Sequence, residues 1–196
     1  STHYANLDYF HTLALPQLMA LLMTEADGER YNVAIQWSKM LSGAIANNRH
    51  GNNGGFKEDG SAFHHWGHYP AYETGALEVL PTIFRLFSKT PYRLSPEAYQ
   101  SFRKAMLAIR TQSNLHSWPR SLSGRHPFSQ KGISNLKSAY VDFAHSGTPY
   151  GKEAIDREMA AVTLRLFPDA AAEFPGYKAE AHPNGHWALP YAHTSA

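Results

Sequence analysis

The sequence predicts an all-α protein made of antiparallel helical hairpins joined by two long loops. Three observations carry that expectation. Apolar residues recur at spacings of three and four along most of the chain. Ser95-Pro96-Glu97 combines a capping residue, a proline at the first helical position and an acid in the first turn, which together form a strong helix start. Apolar–polar alternation of the β type is confined to residues 185–196.

The elements follow in order. Tyr9, Leu13, Leu18, Leu21 and Leu22 share a broad face of a first helix, in which Pro16 is expected to make a kink. Val33, Trp37, Met40, Leu41, Ala44 and Ile45 form the face of a second helix. The stretch from Asn47 to about Gly60 is too polar and too rich in glycine for regular structure, so it reads as a loop. A third helix is expected from Tyr72 to Ser88, with Val79, Leu80, Ile83, Phe84 and Phe87 inward and Pro81 inside it. After Ser95, the repeat of Tyr99, Phe102, Met106 and Ile109 extends a fourth helix. Ser113 to Gly132 is a second polar loop. Two more helices are expected near Ser134–His145 and Lys152–Phe167. Pro168, Pro175 and Pro183 then punctuate an extended exit. Roughly six helices in antiparallel pairs fit either a bundle or part of an α/α toroid.

The 196 residues suffice for one domain with a substantial core. An aliphatic and aromatic content of 43% is that of a folded chain. No apolar run is long enough to cross a membrane. With no cysteine, disulfide scaffolds, thiolate zinc sites and cysteine nucleophiles are excluded. The compartment stays open. The net charge of +2 is unevenly spread: residues 101–152 carry +7 and the remainder −5. That asymmetry points either to an anionic partner or to acids packed on this stretch from elsewhere in the fold. The basic segment lacks a recognition-helix pattern, so nucleic acid is not expected as a partner. The chain starts without methionine or a signal segment, and Gly185-His-Trp-Ala-Leu-Pro-Tyr-Ala reads as the start of an unpartnered strand. It is expected to be a fragment of something larger.

Long loops in a compact helical domain are more often functional than accidental, and these two are rich in His, Arg, Trp and Asn. The first constellation is Asp59-Gly-Ser-Ala-Phe-His64-His65-Trp66-Gly67-His68-Tyr69-Pro70-Ala71-Tyr72. It holds three imidazoles, two phenols and an indole between residues 64 and 72. Histidine and tyrosine supply proton acceptors and donors, and an indole supplies a flat surface for a sugar. The plainer reading is a loop packing its aromatics on helix ends. A metal reading rests on His64 and His68, four apart, but Gly67 and Pro70 oppose a helix there and no HExxH glutamate accompanies them. The second constellation is Trp118-Pro-Arg120-Ser-Leu-Ser-Gly124-Arg125-His126-Pro127-Phe128, where a glycine before an arginine lets a guanidinium fork a carboxylate or sulfate. The third, Asn47 to Asn53, offers carboxamides, including Asn52 and Asn53, for a substrate carboxylate, or simply makes turns.

Together these groups fit one reaction, β-elimination from a uronate in a polysaccharide. The carboxylate must be neutralised, a base must reach C5–H, and an acid must protonate the C4 oxygen as it leaves. Asn, His and Arg suit the first need; Tyr and His suit the other two.

The runs Asp59 to Tyr72 and Ser123-Gly-Arg-His-Pro-Phe128 resemble the chondroitin sulfate ABC lyases, of the hyaluronate/chondroitin lyase group of polysaccharide lyases. The resemblance implies an incomplete α/α-toroid catalytic domain over residues 1–184, and an exit toward a β-sandwich domain over 185–196. It places the family's catalytic histidine on His65, its tyrosine on Tyr72 and its arginine on Arg125. Tyr72 would be acid and base for glucuronate, His65 would assist at the carboxylate, and Arg125 would orient it. The family's glutamate lies in a later region, and Glu153, Glu158, Glu173 and Glu180 match no motif, so the isolated chain is expected to be inactive. His64 is expected as an extra proton acceptor for the epimeric uronate. Trp66, Trp118, Arg120, His126, Asn52 and Asn53 are expected to bind substrate.

The implied partners are an anionic glycosaminoglycan and the rest of the parent chain, namely the first part of the toroid and the β-sandwich domains. No cofactor is required, although a divalent cation, Ca or Mg, can be accommodated. The implied location is secreted or periplasmic. Two other readings stand beside this one. One is a non-catalytic module for sulfated carbohydrate built on Trp66, Trp118, Arg120 and Lys131. The other is a metal-dependent hydrolase built on His64 and His68.

Overall fold

The computed structural model describes residues 5–25, 27–47, 53–113, 116–117, 122–123 and 132–179. Among the described residues the protein is all-α apart from one small sheet. Helices α1 (Leu7–Thr12), α2 (Ala14–Leu22) and α3 (Gly28–Ala46) come first. Strands β1 (Gly55–Phe56), β2 (Ala62–His64) and β3 (Gly67–His68) follow, then α4 (Pro70–Phe87) and α5 (Pro96–Gln112). A short 3₁₀ turn, Ser134–Leu136, leads into α6 (Lys137–His145). Helix α7 (Arg157–Leu166) runs into a last 3₁₀ segment, Pro168–Glu173.

The helix starts obey their caps. Ser95 accepts a hydrogen bond from the Ala98 N–H, and Tyr99, Phe102, Met106 and Ile109 are all buried on α5. Asp27 caps α3 through the Arg30 N–H. The last helix begins at Arg157 rather than Lys152, because Asp156 is the cap that accepts from the N–H groups of Glu158 and Met159. The first helix is two helices. The interruption falls at Leu13, upstream of Pro16, since a proline ring displaces the carbonyl four residues before it. On α3 the buried face is Ala34, Ser38, Leu41, Ala44 and Ile45, while Val33 is exposed, so the face is rotated from the one the apolar residues indicate.

The sheet begins inside the stretch expected to be irregular, which holds β1, and continues beyond Gly60 with β2 and β3. Its three strands are antiparallel in the order β1-β2-β3. They are very short, which is why alternation could not announce them. The β1–β2 turn is built on Asp59, whose carboxylate accepts from the N–H and hydroxyl of Ser61. Gly60, with φ +86°, lies against α5, where a Cβ would meet the Lys104 carbonyl oxygen at 2.5 Å. The second long loop is anchored at its ends by a bridge between Ser117 and Gly132. The extended exit expected at residues 185–196 lies outside the described residues.

Helix α4 is central and packs against α1, α2, α5 and α6. A chain of aromatic rings ties the elements together. Phe10 stacks on Phe56 at 5.5 Å, and Phe56 meets Phe102 edge-on at 5.4 Å. Phe102 stacks on Phe84 at 5.3 Å, and Phe84 meets Phe143 edge-on at 5.2 Å. Each such pair adds about 0.5–1.5 kcal/mol beyond its buried area. One polar network joins α5 to the start of α7. The Tyr99 hydroxyl donates to Asp156 at 2.7 Å, and Arg103 donates to Asp156 at 2.8 Å and also to Glu158. Burial works to raise Asp156, but the Arg103 and Tyr99 hydrogen bonds hold its carboxyl below the usual carboxylate range.

Asp156→Asn keeps a capping side chain but removes the charge. It is expected to cost about 2 kcal/mol, because Arg103 loses its less exposed partner. The native carboxyl titrates below its unfolded value. Its contribution is therefore complete above about pH 4 and is lost as pH falls through the native value. The wild-type advantage in urea unfolding should accordingly shrink in acid.

Candidate active site

The site is built where the hairpin meets the central helix. Strands β2 and β3 pair Phe63 with His68 and His64 with Gly67, which leaves His65 and Trp66 as a two-residue turn. Both have positive φ, 49° and 68°. That is the type I′ geometry that suits Asn-Gly, so an imidazole and an indole are held there at a cost of about 1–3 kcal/mol each. The turn makes both exposed, Trp66 to 78%.

Helix α4 starts almost without a linker. Only Tyr69 separates β3 from Pro70 at the helix start. Tyr69 donates its N–H to the Ala62 carbonyl, continuing the ladder, and its own carbonyl accepts from Tyr72 and Glu73, opening the helix. One turn on, the Tyr72 ring faces back toward the hairpin. Its ring lies 4.2 Å from that of His64 in a stacked arrangement with an interplanar angle of 23°, and 5.7 Å from His65 edge-on. His64 and His65 rings are 4.0 Å apart, and Tyr69 and Tyr72 rings 4.8 Å apart. Four rings that can carry protons thus converge, with His65 exposed and Tyr72 half-buried at the surface.

His64 takes a different place from the one expected. It is only 5% exposed and lies behind the Tyr72 ring, with Nε2 3.5 Å from Asp8 Oδ2 on α1. Strand alternation explains this: His64 and His65 are consecutive, and the turn sends the second outward while the pleat sends the first in. The same register puts His64 and His68 on opposite faces of the hairpin, so the spacing of four does not pair them. The two nitrogens of His68 lie 3.2 Å from the Ala62 carbonyl and 3.1 Å from Gln112 Oε1. Among the described residues no three His, Asp or Glu side chains group as a metal site.

Asn53 is exposed beside the hairpin, its carbonyl accepting from Lys57, whose ammonium lies 5.0 Å over the Phe63 ring. Burial lowers the Lys57 ammonium from its ordinary value. Asn52, Trp118, Arg120, Arg125, His126 and Lys131 lie outside the described residues.

The family model described as "Lyase, catalytic" matches residues 2–173. The chain belongs to this lyase family. A chondroitin sulfate ABC exolyase of Proteus vulgaris is 36% identical over 190 residues, covering 96% of this chain and 18% of the relative. The chondroitin sulfate ABC exolyase of Bacteroides thetaiotaomicron is 34% identical over 161 residues, 82% of this chain and 16% of the relative. A chondroitin sulfate ABC endolyase of Proteus vulgaris is 29% identical over 167 residues, 85% of this chain and 16% of the relative. The chain therefore spans less than a fifth of the length of these relatives. No helix among the described residues is long and apolar enough to cross a membrane.

Two acids of this lyase chain were not indicated by sequence reasoning. Asp8 carries no motif and is brought in only by the packing of α1. Glu73 adjoins Tyr72 but points inward and is 1% exposed, with no hydrogen-bond partner among the described residues. Burial, aided by the Asp59 charge, pushes its carboxyl well above the usual range.

Two outcomes follow. Trp66→Gly is expected to raise folding stability by about 0.5–1 kcal/mol in chemical denaturation, because glycine relieves the left-handed strain. The native Glu73 carboxyl titrates above its unfolded value. The contribution of this carboxyl to stability is therefore greatest below about pH 4.3 and falls as pH rises toward the native value. Glu73→Gln should remove that decline and raise the melting temperature at pH 8 by about 2–4 °C.

Proposed function

We propose that this chain carries part of the active site of a polysaccharide lyase that cleaves chondroitin and dermatan sulfate by β-elimination. The observation that carries the reading is the meeting of the His65 and Tyr72 rings at the exposed end of α4, 5.7 Å apart, in a family whose curated relatives are named chondroitin sulfate lyases. Phenol and imidazole are the two groups the reaction needs near one sugar carbon.

Tyr72, acting as the phenolate, takes the C5 proton of the uronate on its oxygen. The C5–H electron pair forms the C4–C5 double bond, and the bond from C4 to the bridging oxygen breaks. Tyr72 then returns its proton to that oxygen, so no water is consumed. His65 sits beside the phenol and donates to the uronate carboxylate as negative charge builds there. Arg125, matched by its Gly-Arg-His-Pro motif, neutralises the same carboxylate. Trp66 and Asn53 line the approach, the indole as a platform for a neighbouring sugar. Trp118, Arg120, His126 and Asn52 bind the sulfated chain further along. Residues 1–184 belong on this reading to an α/α toroid that the rest of the parent chain completes, with residues 185–196 leading toward a β-sandwich domain and the last catalytic carboxylate. The enzyme acts outside the cytoplasm, where such polymers are met.

The test is made on the intact parent protein with chondroitin sulfate and dermatan sulfate. The wild type is expected to release an ultraviolet-absorbing unsaturated product. Tyr72→Phe should lower kcat by about 10³-fold or more while binding persists. A wild type that binds the polymer and yields no unsaturated product would establish a binding module instead.

A further inference from the structure

The Asp8–His64 contact has no part in the elimination as written above, yet it ends on the phenol that performs it. Asp8 lies in the first turn of α1. That helix is held rigidly: Leu7 and Phe10 are fully buried, and Phe10 stacks on Phe56 of β1. It also approaches α4 closely, because a Cβ on Gly75 would meet the His11 ring at 2.6 Å. This close approach carries the Asp8 carboxylate to 3.5 Å from His64 Nε2. The other face of the same imidazole lies on Tyr72, 4.2 Å between ring centroids. At 5% exposure His64 is screened from a polymer at the surface, and the half-buried Tyr72 ring lies against it. The titratable groups that face His64 among the described residues are Asp8 from α1, His65 from its own hairpin, and Tyr69 and Tyr72 from α4. Asp8 is the one carboxylate in that set.

We propose that Asp8 is a positioning residue for the elimination, holding His64 as the imidazolium flat against the Tyr72 ring. A carboxylate at ion-pair distance favours the protonated imidazole and fixes its orientation. The buried positive charge then lies beside the phenol and favours its phenolate form, the form that takes the C5 proton, in a setting where water screens it poorly. Asp8 thus acts on the phenol through His64 and does not touch the sugar. His64, expected from sequence to contact substrate, becomes the element that transmits the charge. The inference rests on the lyase reading above.

The experiment uses the intact parent protein and the unsaturated-product assay across pH, with Asp8→Asn, Asp8→Glu, His64→Gln and the Asp8→Asn/His64→Gln double variant. Asp8→Asn is expected to lower kcat about 10- to 100-fold and leave KM within about twofold. The imidazolium is lost at lower pH without its carboxylate, so the alkaline fall of kcat should move down by about one pH unit. Asp8→Glu should restore part of both. The double variant should be no slower than His64→Gln alone, because the two residues act as one unit. A wild-type kcat and pH profile in Asp8→Asn, or additive losses in the double variant, overturns the proposal while the lyase reading stands. A wild type without unsaturated product overturns both.

Discussion

A single residue, Tyr69, links the hairpin to the central helix, and the site depends on that shortness. Its N–H completes the β ladder and its carbonyl opens α4, so strand and helix are hydrogen-bonded through one peptide unit on each side. The exposed turn at His65 and Trp66 therefore cannot drift relative to Tyr72. Proline at the first helical position, which needs no hydrogen-bond donor, makes so abrupt a change of structure tolerable. Further along α4, Phe84 sits in the ring chain that joins α5 and α6. The helix that presents the phenol is thereby the helix most firmly seated in the core.

Unfavourable terms cluster at the site end of α4. There lie two side chains in left-handed backbone, a buried carboxyl without a hydrogen bond among the described residues, and an imidazole packed between rings. Away from it, two polar networks inside the fold are well paired. The Tyr140 hydroxyl donates to the Met106 carbonyl at 2.8 Å, and Asp156 gathers Tyr99, Arg103 and two backbone N–H groups.

The helices were legible because each has a local cause. Ser95-Pro96-Glu97 predicts the start of α5, and the buried Tyr99, Phe102, Met106 and Ile109 follow from spacing alone. The α6 range was legible for the same reason. The sheet was not, because strands of two or three residues contain no periodicity to read. The rotated face of α3 escaped too, since Val33 is apolar but packing decided which stripe turned inward. At the candidate site, the nearness of His65 and Tyr72 was legible from their spacing in one short run. The inward turn of His64 and the arrival of Asp8 were not.

The sequence by itself determined the helical class, the start of α5 and the grouping of imidazoles and phenols into one short run, because caps, periodicity and motif spacing are local properties of the chain. Only the tertiary structure decided which of two adjacent histidines meets solvent and which lies behind the phenol. That choice depends on a pairing register and on the close approach of α1 to α4. The register is a hairpin pairing of residues three to five positions apart, in strands too short to announce it, whereas the approach of α1 to α4 brings together residues more than fifty positions apart, such as Asp8 and His64.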